Sequence, residues 1–240
     1  MVGLIAPLKE NAPKAKVILK KSEFFGCLCT AIFGFFIGRV VVLDFLNPFS
    51  IAFLCASMIN SSYSVIVALS LLLGTFSYKN PELLLWHIIT ITTLLIFYLI
   101  FNGTRINKRV LFSILGTIIS FIAGFFIFYV KNYYLYDMLM LMMESIMICA
   151  LTNIYDKGVV LLTDFKKRRV LSTEEMVSIS ILTASLFLGS SIYFWKLSLN
   201  KIISIFLILM FSYVGNVGVG AITGTILGVL QSLSGEIYSS

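Results

Sequence analysis

The sequence predicts an all-α protein, a polytopic transmembrane helical bundle of about eight or nine spans. Three observations predict it. Of 240 residues, 59% are hydrophobic and 12% charged, whereas a soluble domain carries roughly 25% charge. Two stretches of 34 residues, 45–78 and 202–235, hold no charged side chain, and about 20 apolar helical residues cross the ~30 Å hydrocarbon core. Thirteen of the 18 Lys and Arg residues fall in three clusters, at 9–21, 105–109 and 157–169. The apolar stretches between clusters each fit an even number of crossings. Basic flanks stay on the cytoplasmic side, so the N-terminus is expected inside.

Residues 1–22, basic and carrying Pro7 and Pro13, read as a cytoplasmic tail ahead of a membrane domain over 23–240. Span one covers about 24–43, with Arg39 and Asp44 near its outer end, where the two could pair. Asn47-Pro48 restarts a helix, because proline suits a first turn whose N–H needs no partner. The second span, 48–60, is short enough to be tilted, to thin the bilayer or to be re-entrant. Asn60-Ser61-Ser62 makes an uncharged turn before span three at 63–77. The break Lys79-Asn80-Pro81-Glu82 precedes span four at 83–101, and Asn102-Gly103 leads into the second basic cluster.

Span five, 110–130, is free of charge, and Tyr133-Tyr134 beside it mark an outer interface. Span six runs over 135–155, with Asp137 near its end and Glu144 deep inside. Residues 156–171 read as an internal connection whose Val159, Val160, Leu161, Leu162 and Phe165, beside Lys166, Lys167, Arg168 and Arg169, form an interfacial segment on anionic headgroups. Ser172-Thr173-Glu174-Glu175 fits a capping box. Span seven follows at 176–194, span eight at 199–214, and a glycine-rich ninth at 215–235. This register puts all three basic clusters inside and the end of the ninth span outside.

The net charge of +7 reads as headgroup attraction and topology, with the lipid bilayer as partner and no nucleic acid. Cys27, Cys29, Cys55 and Cys149 all lie within spans and lack a second pair at zinc spacing, so no metal or other cofactor is expected. The first apolar run lacks a small-x-small cleavage site and reads as uncleaved.

Chemistry-bearing candidates are few. Glu144 is costly inside a bilayer, and either titrates on a proton or cation path or is a structural acid bonded between helices. His87 reads as a packed or interfacial polar group. Gly220-x-x-x-Gly224-x-x-x-Gly228 forms a small-residue ridge of the kind that lets helices approach in lipid. Gly215-Asn216-Val217-Gly218 is alternatively an unwound, substrate-facing element of a transporter or channel. No phosphate loop, hydrolase elbow or metal-ligand helix is present, and no soluble segment is long enough for a catalytic domain.

Several segments, in order, are similar to the stage II sporulation protein E family. They are Gly38-Arg39-Val40-Val41-Val42-Leu43 with Asn47-Pro48-Phe49, Tyr136-Asp137-Met138 through Glu144, Leu171-Ser172-Thr173-Glu174-Glu175-Met176 after the basic cluster, and the run Gly215–Val229. The resemblance lies in the ordered set, spread over most of residues 24–235. It implies a membrane module from an endospore-forming bacterium. In the family that module anchors a manganese-dependent PP2C-type phosphatase at the division septum. The phosphatase acts on a phosphorylated anti-anti-sigma factor and so releases the forespore sigma factor. A central region supports oligomerisation and contact with the division ring. The manganese-holding Asp residues have no counterpart here, so no catalytic residue carries over. The chain is expected to anchor, localise and homo-oligomerise beside division-septum proteins without catalysis of its own. At least one further crossing is expected before any cytoplasmic domain.

Overall fold

The computed structural model describes residues 12–42, 46–60, 63–77, 81–101, 107–130, 135–163, 171–190, 193–194 and 197–233. Eight helices dominate: α1 (Ala12–Gly38), α2 (Pro48–Asn60), α3 (Ser64–Thr75), α4 (Pro81–Phe101), α5 (Lys108–Val130), α6 (Leu135–Thr163), α7 (Thr173–Ser190) and α8 (Leu199–Leu233). Between α7 and α8, β1 (Tyr193–Phe194) pairs antiparallel with β2 (Leu197–Ser198). Residues 83–101, 108–127, 135–163 and 202–229 form helices long and apolar enough to cross a membrane. Phe24–Gly38, α2 and α3 are shorter apolar helices.

Three boundaries differ from the sequence reading. The helix expected to start at Phe24 starts at Ala12, with Pro13 in its first turn, and includes Lys14, Lys16, Lys20 and Lys21 of the first basic cluster. α6 does not stop at residue 155. It continues to Thr163 with Asp156 and Val159 buried and Val160 exposed, so residues 156–163 extend the helix and pack on one side only. A helix flanked by others can outrun the ~20 residues a bilayer demands. The last two expected spans form the single element α8, broken at Asn216 (φ 70°, ψ 169°).

That break reverses the chain. Gly220 lies against Ser212, Gly224 faces Ile208, and Gln231 Nε2 donates to Ser204 Oγ at 2.5 Å. In a straight helix Ser212 and Gly220 would stand about 12 Å apart. Hence α8 is a helical hairpin with arms 199–215 and 217–233, each about 25 Å long.

At the centre of the bundle is α2, one of the shortest helices. Every residue from Pro48 to Met58 is buried, enclosed by α1, α3, α4, α5 and α6. A helix that is apolar all round belongs inside other helices. Because neighbours and not lipid surround it, α2 need not match the bilayer thickness, which resolves its shortness. Outside this centre, α7 lies against α1 and α6, and α8 packs chiefly on α7.

The helices close at small residues. α1 and α3 run parallel and meet at Gly38 and Gly74, where a Cβ on Gly74 would stand 2.4 Å from the Phe35 carbonyl oxygen and 3.0 Å from Gly38 Cα. Only a residue without a side chain permits that approach, and in lipid such close packing replaces water exclusion as the force between helices. Replacing Gly74 by leucine is therefore expected to destabilise the bundle by about 1–3 kcal/mol. Thermal unfolding in detergent checks this, and an unchanged midpoint would contradict the α1–α3 seam.

Candidate functional site

Polar and charged side chains from several helices meet at the two ends of α2. At its N-terminus, Asn47 Oδ1 accepts from the Ser50 N–H at 3.1 Å, an N-cap followed by proline in the first turn. The same residue reaches two other elements. Its Nδ2 donates to the Gly38 carbonyl at 3.3 Å, satisfying the end of α1, and its backbone N–H donates to Glu144 Oε1 of α6 at 3.3 Å. His87 of α4 also faces the Asn47 backbone, while its Nδ1–H donates to the Leu83 carbonyl at 2.8 Å. Asn47, His87 and Glu144 are all fully buried.

At the other end of α2, Asn60 Nδ2 donates to the Asp156 carbonyl of α6 at 3.1 Å and also to Asp156 Oδ1. The second oxygen of Asp156 pairs with Arg109 at the start of α5. The carboxylate is buried while the guanidinium is half exposed. α6 thus presents one carboxyl group to each end of α2.

The structure brings together what the sequence listed apart at only one of these places. Glu144 and His87 meet through Asn47, and Glu144 takes the role of an acid hydrogen-bonded between helices. Asn47, Asn60, Arg109 and Asp156 were missed as a polar set. Asn47-Pro48 was legible as a helix start, but its reach to α1, α4 and α6 was not. Asp156 was assigned to a connection. Its spacing from Glu144, about 18 Å along a helix, against an α2 length of about 20 Å, was the available signal.

Other candidates are dispersed. The capping box is formed as read, with the Ser172 N–H donating to Glu175 Oε2 at 2.9 Å and the Glu175 N–H donating to Ser172 Oγ at 3.3 Å. Lys157 of α6 pairs with Glu174 of α7, and this ammonium holds the Glu174 carboxyl below its ordinary pKa, by hydrogen bond first and charge second. A Cβ on Gly220 would stand 2.5 Å from Ser212 Cβ, one on Gly224 3.8 Å from Ile208, and one on Gly228 would meet nothing within 4 Å. Gly215 packs by Met176, at the start of α7. That is the Asp156 end of the bundle, opposite Glu144, so the two elements of a transport path lie apart. Arg39 stacks over the Phe35 ring at 5.9 Å. Asp44, and Lys166, Lys167, Arg168 and Arg169, lie outside the described residues. Among the described residues no cluster of three or more His, Cys, Asp or Glu is placed to hold a metal ion.

Two of the basic segments come together in space. α1 begins at the end where Gly26 packs on Thr163 of α6, Arg109 is bonded to Asp156, and Lys157 follows directly. Among the described residues, Arg109 and Lys157, one from each of two basic segments, thus lie at one end of the bundle.

A family model described as SpoIIE, N-terminal domain, matches residues 7–238. Stage II sporulation protein E of Bacillus subtilis (strain 168) is 24% identical over 224 residues, covering 90% of this chain and 27% of the relative. The chain thus spans about a quarter of that relative's length. No solved structure matches.

Two outcomes follow from the geometry. Arg109→Ala leaves a buried carboxylate without its cation and is expected to destabilise by about 2 kcal/mol, below the range for fully buried pairs because the guanidinium is half exposed. Adding Asp156→Asn to Arg109→Ala should recover part of that loss, a non-additivity read from the unfolding midpoints of the single and double variants. In the hairpin, Gly220→Leu should disturb α8 packing while Gly228→Leu leaves it intact. Protease resistance of α8 in detergent separates the two, and equal behaviour would deny the ridge its asymmetry.

Proposed function

The chain belongs to the SpoIIE N-terminal domain family, and we propose that it is the membrane module that anchors and localises a sporulation protein at the division septum. A membrane module of a sporulation protein is what the family match and the apolar helices together establish. The finer reading is one of nine crossings: α1 to α7, then the two arms of α8. In it the N-terminus is cytoplasmic. What supports this orientation is the spacing of the three basic segments in the sequence together with Arg109 and Lys157 at one end of the bundle, since a single-sided excess of Lys and Arg is the mark of a cytoplasmic face. The arms of α8 and α2 itself are short for a ~30 Å core, but they lie against longer helices that fill its thickness.

The activity of the longer relative is proposed for this lineage only through its membrane part. In this reading the module concentrates whatever follows it at the septum, self-associates, and contacts division proteins at its basic end, where Lys166, Lys167, Arg168 and Arg169 also meet anionic lipid. The glycines that remain open, Gly218 and Gly228, leave one face of α8 free for a second copy. Catalysis, with its manganese, belongs to a phosphatase domain and not to residues of this chain.

Localisation tests the reading. A fluorescent fusion of residues 1–240 should enrich at asymmetric septa of sporulating cells. Uniform membrane fluorescence there would overturn the localising role. In the same strain, alkaline phosphatase fused after Thr75 should be active and after Thr163 inactive. The reverse pattern would invert the orientation.

A further inference from the structure

At the Lys157 end of the bundle, Asn153, Ile154 and Lys157 of α6 and Thr173, Glu174 and Val177 of α7 line a groove of about 300 Å³. We propose that this groove binds the headgroup of a phospholipid bearing both a phosphate and a primary ammonium, of the phosphatidylethanolamine class. The inference rests on the proposed reading in one respect, that this end lies at a membrane interface.

Charge selects the ligand. Lys157 on one wall and Glu174 on the other are 38% and 74% exposed, and they pair with each other across the groove. An exposed pair of this kind is weak and opens readily. A zwitterionic headgroup inserted between them places its phosphate on Lys157 and its ammonium on Glu174, so that four charges alternate and none is left alone. A headgroup with net negative charge would instead meet Glu174 and the neighbouring Glu175, which is committed to the capping box. A quaternary ammonium has no N–H to donate to the Glu174 carboxylate. The carboxyl of Glu174, held below its ordinary pKa by Lys157, stays charged at neutral pH.

Shape and surroundings fit the rest of such a molecule. The groove is at the small end of the ~300–1,000 Å³ of small-molecule sites, with Ile154 and Val177 as its apolar floor. From Asn153 toward the middle of α6, the outward face carries Ala150, Ile146 and Met143, all exposed. This apolar lane leads from the groove into the hydrocarbon region and gives an acyl chain a continuous surface. Asn153, whose amide donates to the Cys149 carbonyl at 2.9 Å, stands where lane and headgroup meet, the level of a lipid glycerol.

The test uses the full chain in nanodiscs of phosphatidylcholine doped with equal amounts of phosphatidylethanolamine and phosphatidylglycerol, followed by native mass spectrometry of retained lipid. Phosphatidylethanolamine is expected to be enriched about threefold to fivefold over both others, the scale of one exposed charge pair. Lys157→Gln and Glu174→Gln should each abolish the enrichment while leaving insertion and cooperative unfolding unchanged. Equal retention of the three lipids, preference for phosphatidylglycerol, or enrichment that survives both substitutions would each overturn the proposal. Failure of the chain to insert at all would instead overturn the membrane reading on which it rests.

Discussion

The bundle is organised around α2, which is buried from Pro48 to Met58 and held at each end by contacts to α6. A helix end carries unsatisfied N–H or C=O groups, and in hydrocarbon no water is available to take them, at a cost of several kcal/mol for each. At the N-terminus of α2 the protein supplies some of those partners, and at the C-terminus it adds a polar tie to α6. Asn47 caps the first turn and takes Glu144 on its backbone N–H. Asn60 ties the last turn to Asp156. A carboxyl group near a helix N-terminus also sits favourably in the helix dipole, whereas the one at the C-terminus does not. The latter carries Arg109 as its counter-ion. The asymmetry of the two ends follows from that difference in sign.

With α2 fixed, the packing of the remaining helices follows by descending contact. α1, α3, α4, α5 and α6 enclose it directly, α7 seals α1 and α6, and α8 lies outermost on α7. Asn47 is where this order is most compressed, because one side chain and its backbone touch the end of α1, the start of α2, Glu144 of α6 and His87 of α4. The seams around the centre use glycine for close approach, as at Gly38 and Gly74. The outer faces keep large apolar residues such as Phe126, Tyr213 and Val217 exposed, which is the composition expected of a surface that meets lipid.

The class of fold was legible from charge spacing and apolar length, and so were local signals whose partners lie within a few residues: Asn47-Pro48, the Ser172 and Glu175 box, the break near Gly215. Each depends on chemistry that the sequence places side by side. What escaped were partnerships across nearly a hundred residues. Glu144 read as an acid that could be bonded between helices, but its partner could not be named because the donor is a backbone N–H, and every residue but proline has one. Asp156 was lost for another reason. A span of 20 residues exhausts the bilayer but not the helix, so a residue one turn beyond was assigned to a connection. The reversal at Asn216 was expected as a gap between two spans. In the structure it takes a single residue, Asn216, whose φ of 70° with ψ of 169° is a backbone conformation that residues other than glycine rarely adopt.

The near-equal separations of the two clamps bear on how the chain is made. Asn47 lies 97 residues before Glu144, and Asn60 lies 96 before Asp156. At a synthesis rate of roughly 5–20 residues per second, α2 leaves the ribosome about 5–20 s ahead of α6. During that interval it has the Asn47 cap and its contact to Gly38, but neither carboxyl group of α6. The Asn47 N–H and the Asn60 amide wait for their α6 partners until the second half of the chain is made, which writes the order of synthesis into the contacts of α2.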